Sequence, residues 1–252
     1  MNNKLFFTIL NLVSYVFLIG SSFFVSGETA FTVEGVEPLI SPATYAFYIW
    51  PVIYLLVLIW IIRYGFKKGR FDQTYINVSY FLPLSLTSIG GSLLTGQPIA
   101  GLFIIMGLLF TIGAYVSCSE NTKKDWFFRL PFSIYLGWLS IATIIEISIL
   151  LKANGLTNLF GLSEVVWAVL VLILGSGLAI LVNVSKMDFV YPLVFIWAYS
   201  AIAIQQMNQH IILVVCCAAI LLIALVMDRY KKTLQEKWTY FHCLCIRCLI
   251  RR

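Results

Sequence analysis

The stretch RLPFSIYLGWLSIATIIEISILL, Arg129 to Leu151, places a carboxylate among residues apolar enough to cross a bilayer. An ionised carboxyl group is costly in hydrocarbon, by several kcal/mol. Glu146 therefore has to face a partner, a wet cavity or a ligand; failing that, it reaches for the headgroups about a turn and a half away or keeps a proton and bonds a neighbouring helix. On a helix turning about 100° per residue, Pro131, Tyr135, Trp138, Ala142 and Glu146 fall within about 60° either side of Tyr135. Phe47, Trp50 and Tyr54 share a second face, and Tyr191, Phe195 and Tyr199 a third. Rings at helical spacing serve as packing and interface anchors or as walls of a ligand site, and both readings stay open here.

The inventory for covalent or proton-transfer chemistry is otherwise sparse. There are two histidines, His210 at a helix end and His242 in the tail, so a histidine triad inside the bundle is excluded and a membrane metal site is disfavoured. No Gly-rich phosphate loop, no H-E-x-x-H and no pair of carboxylates within one span is present. An enzyme is not the expected reading, no cofactor is expected, and the residues point to binding or transport.

The elements that carry these side chains follow from composition. Of 252 residues, 61% are hydrophobic and 11% charged, and the mean hydropathy is +0.94, a balance that no soluble domain uses to cover its surface. The apolar runs have the length, about 20 residues, that crosses about 30 Å of hydrocarbon as helix. The expected fold is all-α, a polytopic transmembrane bundle of eight spans: Leu5 to Val25, Tyr45 to Tyr64, Tyr75 to Thr95, Ile99 to Cys118, Leu130 to Leu151, Val165 to Val184, Phe189 to Ile204 and Ile211 to Met227. The third, rich in small and hydroxyl residues around Pro83, and the seventh, short and begun at Pro192, carry the least apolar length. Gly175 and Ala179 in the sixth read as helix-packing notches, and no internal repeat is evident.

With the N-terminus inside, Lys4, Arg63, Lys67, Lys68, Arg70, Lys123, Lys124, Arg129, Lys186 and the basic tail fall on the cytoplasmic side and Lys152 alone falls outside. An even count with both termini cytoplasmic is expected. The net charge of +6 then describes a rim against anionic lipid and not a nucleic-acid footprint. The first apolar run is longer than the core of a signal peptide, so it reads as a retained helix. The segment GETAFTVEGVEPLISPA, with Glu28, Glu34 and Glu37 and no basic residue, reads either as a lid over the outer mouth or as a solvated acidic connector. Six cysteines form no disulfide framework: Cys118, Cys216 and Cys217 belong to helices, and Cys243, Cys245 and Cys248 to the tail. Beside His242 the tail cysteines are cramped for zinc, and the basic, apolar tail more simply lies on the membrane, where acylation is conceivable in a eukaryotic host.

Two of these stretches, SPATYAFYIWPVIYLLVLIW and LPFSIYLGWLSIATIIEISILL, resemble the second and fifth helices of the translocator-protein family, also called tryptophan-rich sensory proteins (TspO/MBR). The resemblance covers about Leu5 to Leu151, and the last three spans, with YPLVFIWAYSAIAI, are similar to the extension of longer bacterial members. It implies a TspO-like ligand-binding unit at residues 1–152, three additional helices at 153–230 and a basic cytoplasmic tail at 231–252. It also implies a bacterial plasma-membrane protein that binds a hydrophobic small molecule, porphyrin- or sterol-like, in a pocket between helices two and five, with homodimerisation open. Phe47, Trp50, Tyr54, Tyr135, Trp138, Ala142, Thr143 and Glu146 are the ligand-binding candidates, Glu146 standing where the family usually has a pocket-facing Asn. The third span, LSLTSIGGSLLTG, lacks the family's Asn and Trp, so part of a porphyrin wall is missing. The leading expectation is a receptor, carrier or sensor in which a flat apolar ligand stacks on Trp50 and Trp138 beside Glu146. The alternative is a proton-coupled transporter of a small solute in which Glu146 cycles its proton. Weaker alternatives are a tetrapyrrole- or lipid-modifying enzyme and an assembly scaffold.

Overall fold

The computed structural model describes residues 3–24, 36–67, 69–119, 125–155 and 161–250, without the side chains of 234 and 236–250. Glu28, Glu34, Lys68, Lys123 and Lys124 lie outside the described residues, as do the side chains of His242, Cys243, Cys245 and Cys248. The described chain is a helical bundle in which eight passages alternate in direction. They are α1 (Asn3–Phe24); a 3-10 turn (Thr44–Tyr48) leading into α2 (Ile49–Gly65); a broken third passage, α3 (Asp72–Ser79) and α4 (Leu82–Leu94); α5 (Ile99–Ser119); α6 (Trp126–Ala153); α7 (Glu164–Lys186); α8 (Tyr191–Gln205); and α9 (His210–Ile250). Six of the passages are long and apolar enough to cross a membrane. The exceptions are the third and the seventh.

Each exception has a local cause. In the third passage the Phe81 amide turns back to the Val78 carbonyl, and Pro83, without an N–H, sits in the first turn of α4. One apolar run therefore becomes two short helices. At 15 residues α8 is only about 22 Å long, and most of its surface is covered by protein: Tyr191, Val194, Phe195, Ala198, Tyr199, Ala201 and Ile202 are buried, while Leu193, Trp197 and Ile204 are exposed. By contrast α9 runs unbroken for 41 residues, so the backbone of 231–250 continues the helix of the last passage.

The core of the bundle is apolar, but α1 turns a polar and small-residue face inward and its apolar face outward, as a helix bordered by lipid can. In α1 the buried positions are Lys4, Thr8, Asn11, Ser14, Leu18 and Ser21, whereas Leu5, Ile9, Val13 and Val16 are exposed. In this inward stripe Thr8, Ser14 and Ser21 bond back to carbonyls of α1 itself, while Asn11 Nδ2 reaches across to Tyr75 Oη at 3.1 Å and to Ser79 Oγ at 2.8 Å.

The two ends of the bundle are tied differently. At one, which includes Arg129, Lys4 pairs with Asp72 (2.7 Å), Arg63 with Asp125 (3.6 Å) and Arg129 with Asp188 (3.6 Å). Asp188, only 1% exposed, also accepts from Tyr115 Oη (2.7 Å), Ser133 Oγ (2.6 Å) and the amides of Val190 (2.9 Å) and Tyr191 (3.1 Å). It thereby caps α8 and fastens that helix to α5 and α6. At the opposite end, which includes Glu146, the segment before α2 is strapped down. The Leu39 amide donates to Glu164 Oε1 (3.3 Å), Lys152 Nζ to the Glu37 carbonyl (2.7 Å) and the Ala43 amide to the Ala201 carbonyl (3.1 Å).

Candidate functional site

The entry into α2 is shaped by its prolines. Pro42 precedes the 3-10 turn, and Pro51, whose missing N–H falls in the first helical turn, lets the chain continue as α2. This tight start turns Phe47 and Trp50 toward α6. The turn is held from the far side by α8, where Trp197 Nε1 donates to the Ala46 carbonyl at 3.1 Å and the Trp197 ring meets Tyr45 edge-on at 5.3 Å.

On α6, Trp138, Ala142 and Glu146 present one face to this turn at four-residue steps. The rings form an edge-to-face set: Phe47 to Trp138 at 5.7 Å and 88°, and Trp50 to Trp138 at 6.4 Å and 87°, separations at which such pairs attract. Around them is a cavity of about 150 Å³ whose lining includes Phe47, Trp50, Trp138, Ala142 and Glu146, with Glu37, Ser41 and Thr44 from the strapped segment and Gln205 from the end of α8. Five of the sequence candidates thus meet in one space.

The other three do not line it. Tyr54 is tilted against Trp50 at 5.6 Å with its hydroxyl 3.2 Å from Ser22 Oγ. Tyr135 is 1% exposed, edge-on to Trp50 at 6.2 Å, and its hydroxyl accepts from Ser85 Oγ at 2.9 Å in a cluster with Thr111. Thr143 is buried, and its hydroxyl has no partner among the described residues. The stripe read along α6 therefore divides, its Arg129 half packing the core and its Glu146 half facing the cavity.

Glu146 is 2% exposed. Its Oε1 accepts from Gln97 Nε2, on the connection between α4 and α5, and it forms no ion pair among the described residues. The basic group at this end, Lys152, is committed to Glu164 at 2.7 Å. Two polar atoms here lack partners among the described residues: Gln97 Oε1 and Trp138 Nε1, each buried. Sequence reasoning missed Gln97 and Gln205. Gln97 follows Gly96 in a polar connection, and Gln205 ends an apolar helix, so each could have been found only as a polar residue at the Glu146 end of its span.

A second, larger cavity of about 250 Å³ lies between α6 and α7 under Pro38, Leu39 and Ile40, walled by Ile144, Ile147, Leu151, Trp167, Ala168 and Val171. Sequence analysis did not find it, because its walls come from residues that look like ordinary lipid-facing or packing side chains. Its two charges, Lys152 and Glu164, neutralise each other. The smaller cavity holds Glu146, which forms no ion pair among the described residues. No group of three or more His, Cys, Asp or Glu side chains among the described residues is arranged to hold a metal.

A family model described as TSPO-like protein matches residues 4–227, which runs from α1 well into α9. No curated protein and no solved structure is a match.

Proposed function

This chain belongs to the TSPO-like family of integral membrane proteins, and we propose that it is a receptor or carrier for a hydrophobic small molecule held between α2 and α6. The observation that carries this reading is the cavity edged by Phe47, Trp50 and Trp138 with Glu146 at one side. Aromatic and apolar walls would supply most of the affinity, and one buried carboxylate would choose among ligands. The cavity is below the range of about 300 to 1,000 Å³ common for drug-sized ligands. A porphyrin- or sterol-sized molecule would therefore enter only as the segment 36–43 lifts, which makes that segment the lid. Residues 1–152 form the binding unit in this reading, and the three later helices brace its wall through Trp197 and Gln205. Lys4, Arg63, Arg70, Arg129 and Lys186 lie at one end of the bundle, which we assign to the cytoplasm on the positive-inside rule, with both termini there.

The test is to fill the cavity. In Ala142→Trp, with helical content and melting profile retained, saturable binding of a porphyrin carrying ammonium groups in place of carboxylates to protein in nanodiscs is expected to weaken at least tenfold. Undiminished binding would show that the ligand lies elsewhere.

The second reading, a proton-coupled transporter, is favoured by one observation: a buried carboxylate with no cation beside it. In proteoliposomes, uptake driven by a pH gradient and lost in Glu146→Gln would support it; uptake indifferent to that change would remove it.

A further inference from the structure

The ligand's chemical class follows from which groups the cavity leaves unsatisfied, given the reading above that this cavity is the binding site. Among the described residues, the carboxylates lining it are Glu37 and Glu146, and no Lys, Arg or His lines it. A buried carboxylate without a cation is an incomplete ion pair, and the group that completes it must come with the ligand or as a proton. Gln97, outside the cavity lining, holds the Glu146 carboxylate from behind. Its amide nitrogen is spent on Glu146, leaving Oε1 as a buried acceptor with no donor among the described residues. The lining also carries the Ser41 and Thr44 hydroxyls and the Gln205 amide, which donate as well as accept, so its unbalanced feature is the negative charge. Facing it are Phe47, Trp50 and Trp138, whose rings attract cations over their faces within about 6 Å of the centroid. Trp138 Nε1 is a buried donor without an acceptor among the described residues, which calls for an acceptor atom elsewhere on the ligand. A polyanion such as a porphyrin bearing carboxylates meets two like charges here. A sterol offers a single hydroxyl.

We propose that the ligand is a small amphipathic cation, an organic ammonium carrying an apolar or aromatic body, whose charged head sits against Glu146 and whose body is enclosed by Phe47, Trp50 and Trp138. Gln97 is a positioning residue that holds the carboxylate, and Glu37 on the lid segment supplies further negative field. Lys152 does not compete for the site because Glu164 and the Glu37 carbonyl occupy its ammonium group.

A charge series at constant shape tests this. Full-length protein in nanodiscs of zwitterionic lipid is titrated by calorimetry with phenylbutyltrimethylammonium, with its neutral isostere bearing a tert-butyl head, and with phenylpentanoate, subtracting empty nanodiscs. The expected result is saturable binding of the cation at least tenfold tighter than of the isostere, weaker still for the anion, with the preference for cation over isostere collapsing to about one in Glu146→Gln. Equal binding of cation and isostere, or tighter binding of the anion, overturns the proposal. If the isostere binds without regard to charge and is lost in Ala142→Trp, the cation specificity is refuted and the site reading survives. If none of the three saturates, both fall. Should Glu146→Gln not fold, the series on the unaltered chain still decides.

Discussion

Two buried carboxylates in this bundle are treated in opposite ways. Asp188 is surrounded by donors: two hydroxyls, two amides and the Arg129 guanidinium. Glu146 has the Gln97 amide and no cation. The first arrangement fixes structure, and the second leaves a valence open. Replacing Asp188 by Ala leaves the Tyr115 hydroxyl and the first α8 amides without their acceptor and takes one partner from Ser133 and from Arg129, which keeps the Lys186 and Met187 carbonyls, so thermal or denaturant unfolding in detergent should show a loss of about 3–5 kcal/mol. Glu146→Gln removes a charge that no cation among the described residues neutralises, and the same assay should find stability unchanged or slightly raised. A loss as large as that of Asp188→Ala would mean that Glu146 is a structural ion after all. Glu146 was legible in the sequence because a charge inside an apolar span is anomalous. Asp188 was not legible: between Lys186 and Phe189 it reads as an ordinary loop residue, and its partners come from helices 55 and 73 positions away. Gln97 escaped for the same reason, since pairing across 49 residues leaves no local trace.

At the scale of elements, close approach of helices is the recurring device. A Cβ on Gly175 would lie 2.5 Å from Tyr199 Oη, and one on Gly137 would lie 3.0 Å from Val194 Cβ and 3.2 Å from the Tyr191 carbonyl. The first notch seats α8 on α7 and the second seats it on α6. Gly175→Ala pushes the Tyr199 hydroxyl off the Leu172 carbonyl it bonds at 2.8 Å. The expected cost is about 1–3 kcal/mol of stability, measurable as a lowered melting temperature. An unchanged melt would show that α8 rides loosely. Gly175 and Ala179 could be read as notches from their spacing, and the break in the third span was foreshadowed by Pro83. The role of α8 could not be read. Its rings at Tyr191, Phe195 and Tyr199 have helical spacing whether they face a ligand or a neighbour, and only the fold shows them packed in the core while Trp197, on another face, holds the turn before α2.

For the whole molecule, hydropathy runs alone indicated a membrane bundle, because lipid imposes length and composition on every span. How the last three helices join the first five was not legible, since that depends on tertiary contacts among interchangeable apolar residues. Orientation is tested by cysteine labelling in intact cells after the native cysteines are replaced: Lys152→Cys should react with an impermeant maleimide and Arg63→Cys should not. The reverse pattern would invert the topology and put the lid segment in the cytoplasm. The binding site itself is tested most directly by titrating protein in nanodiscs with a porphyrin that carries ammonium groups in place of carboxylates while following tryptophan quenching, alongside Trp138→Phe and Ala142→Trp. Quenching should saturate at a defined stoichiometry, weaken about fivefold in Trp138→Phe, equivalent to the ~1 kcal/mol of an aromatic contact, and weaken further in Ala142→Trp. Quenching that never saturates, or that is the same in all three proteins, would mean partition into lipid and would contradict a ligand site between α2 and α6.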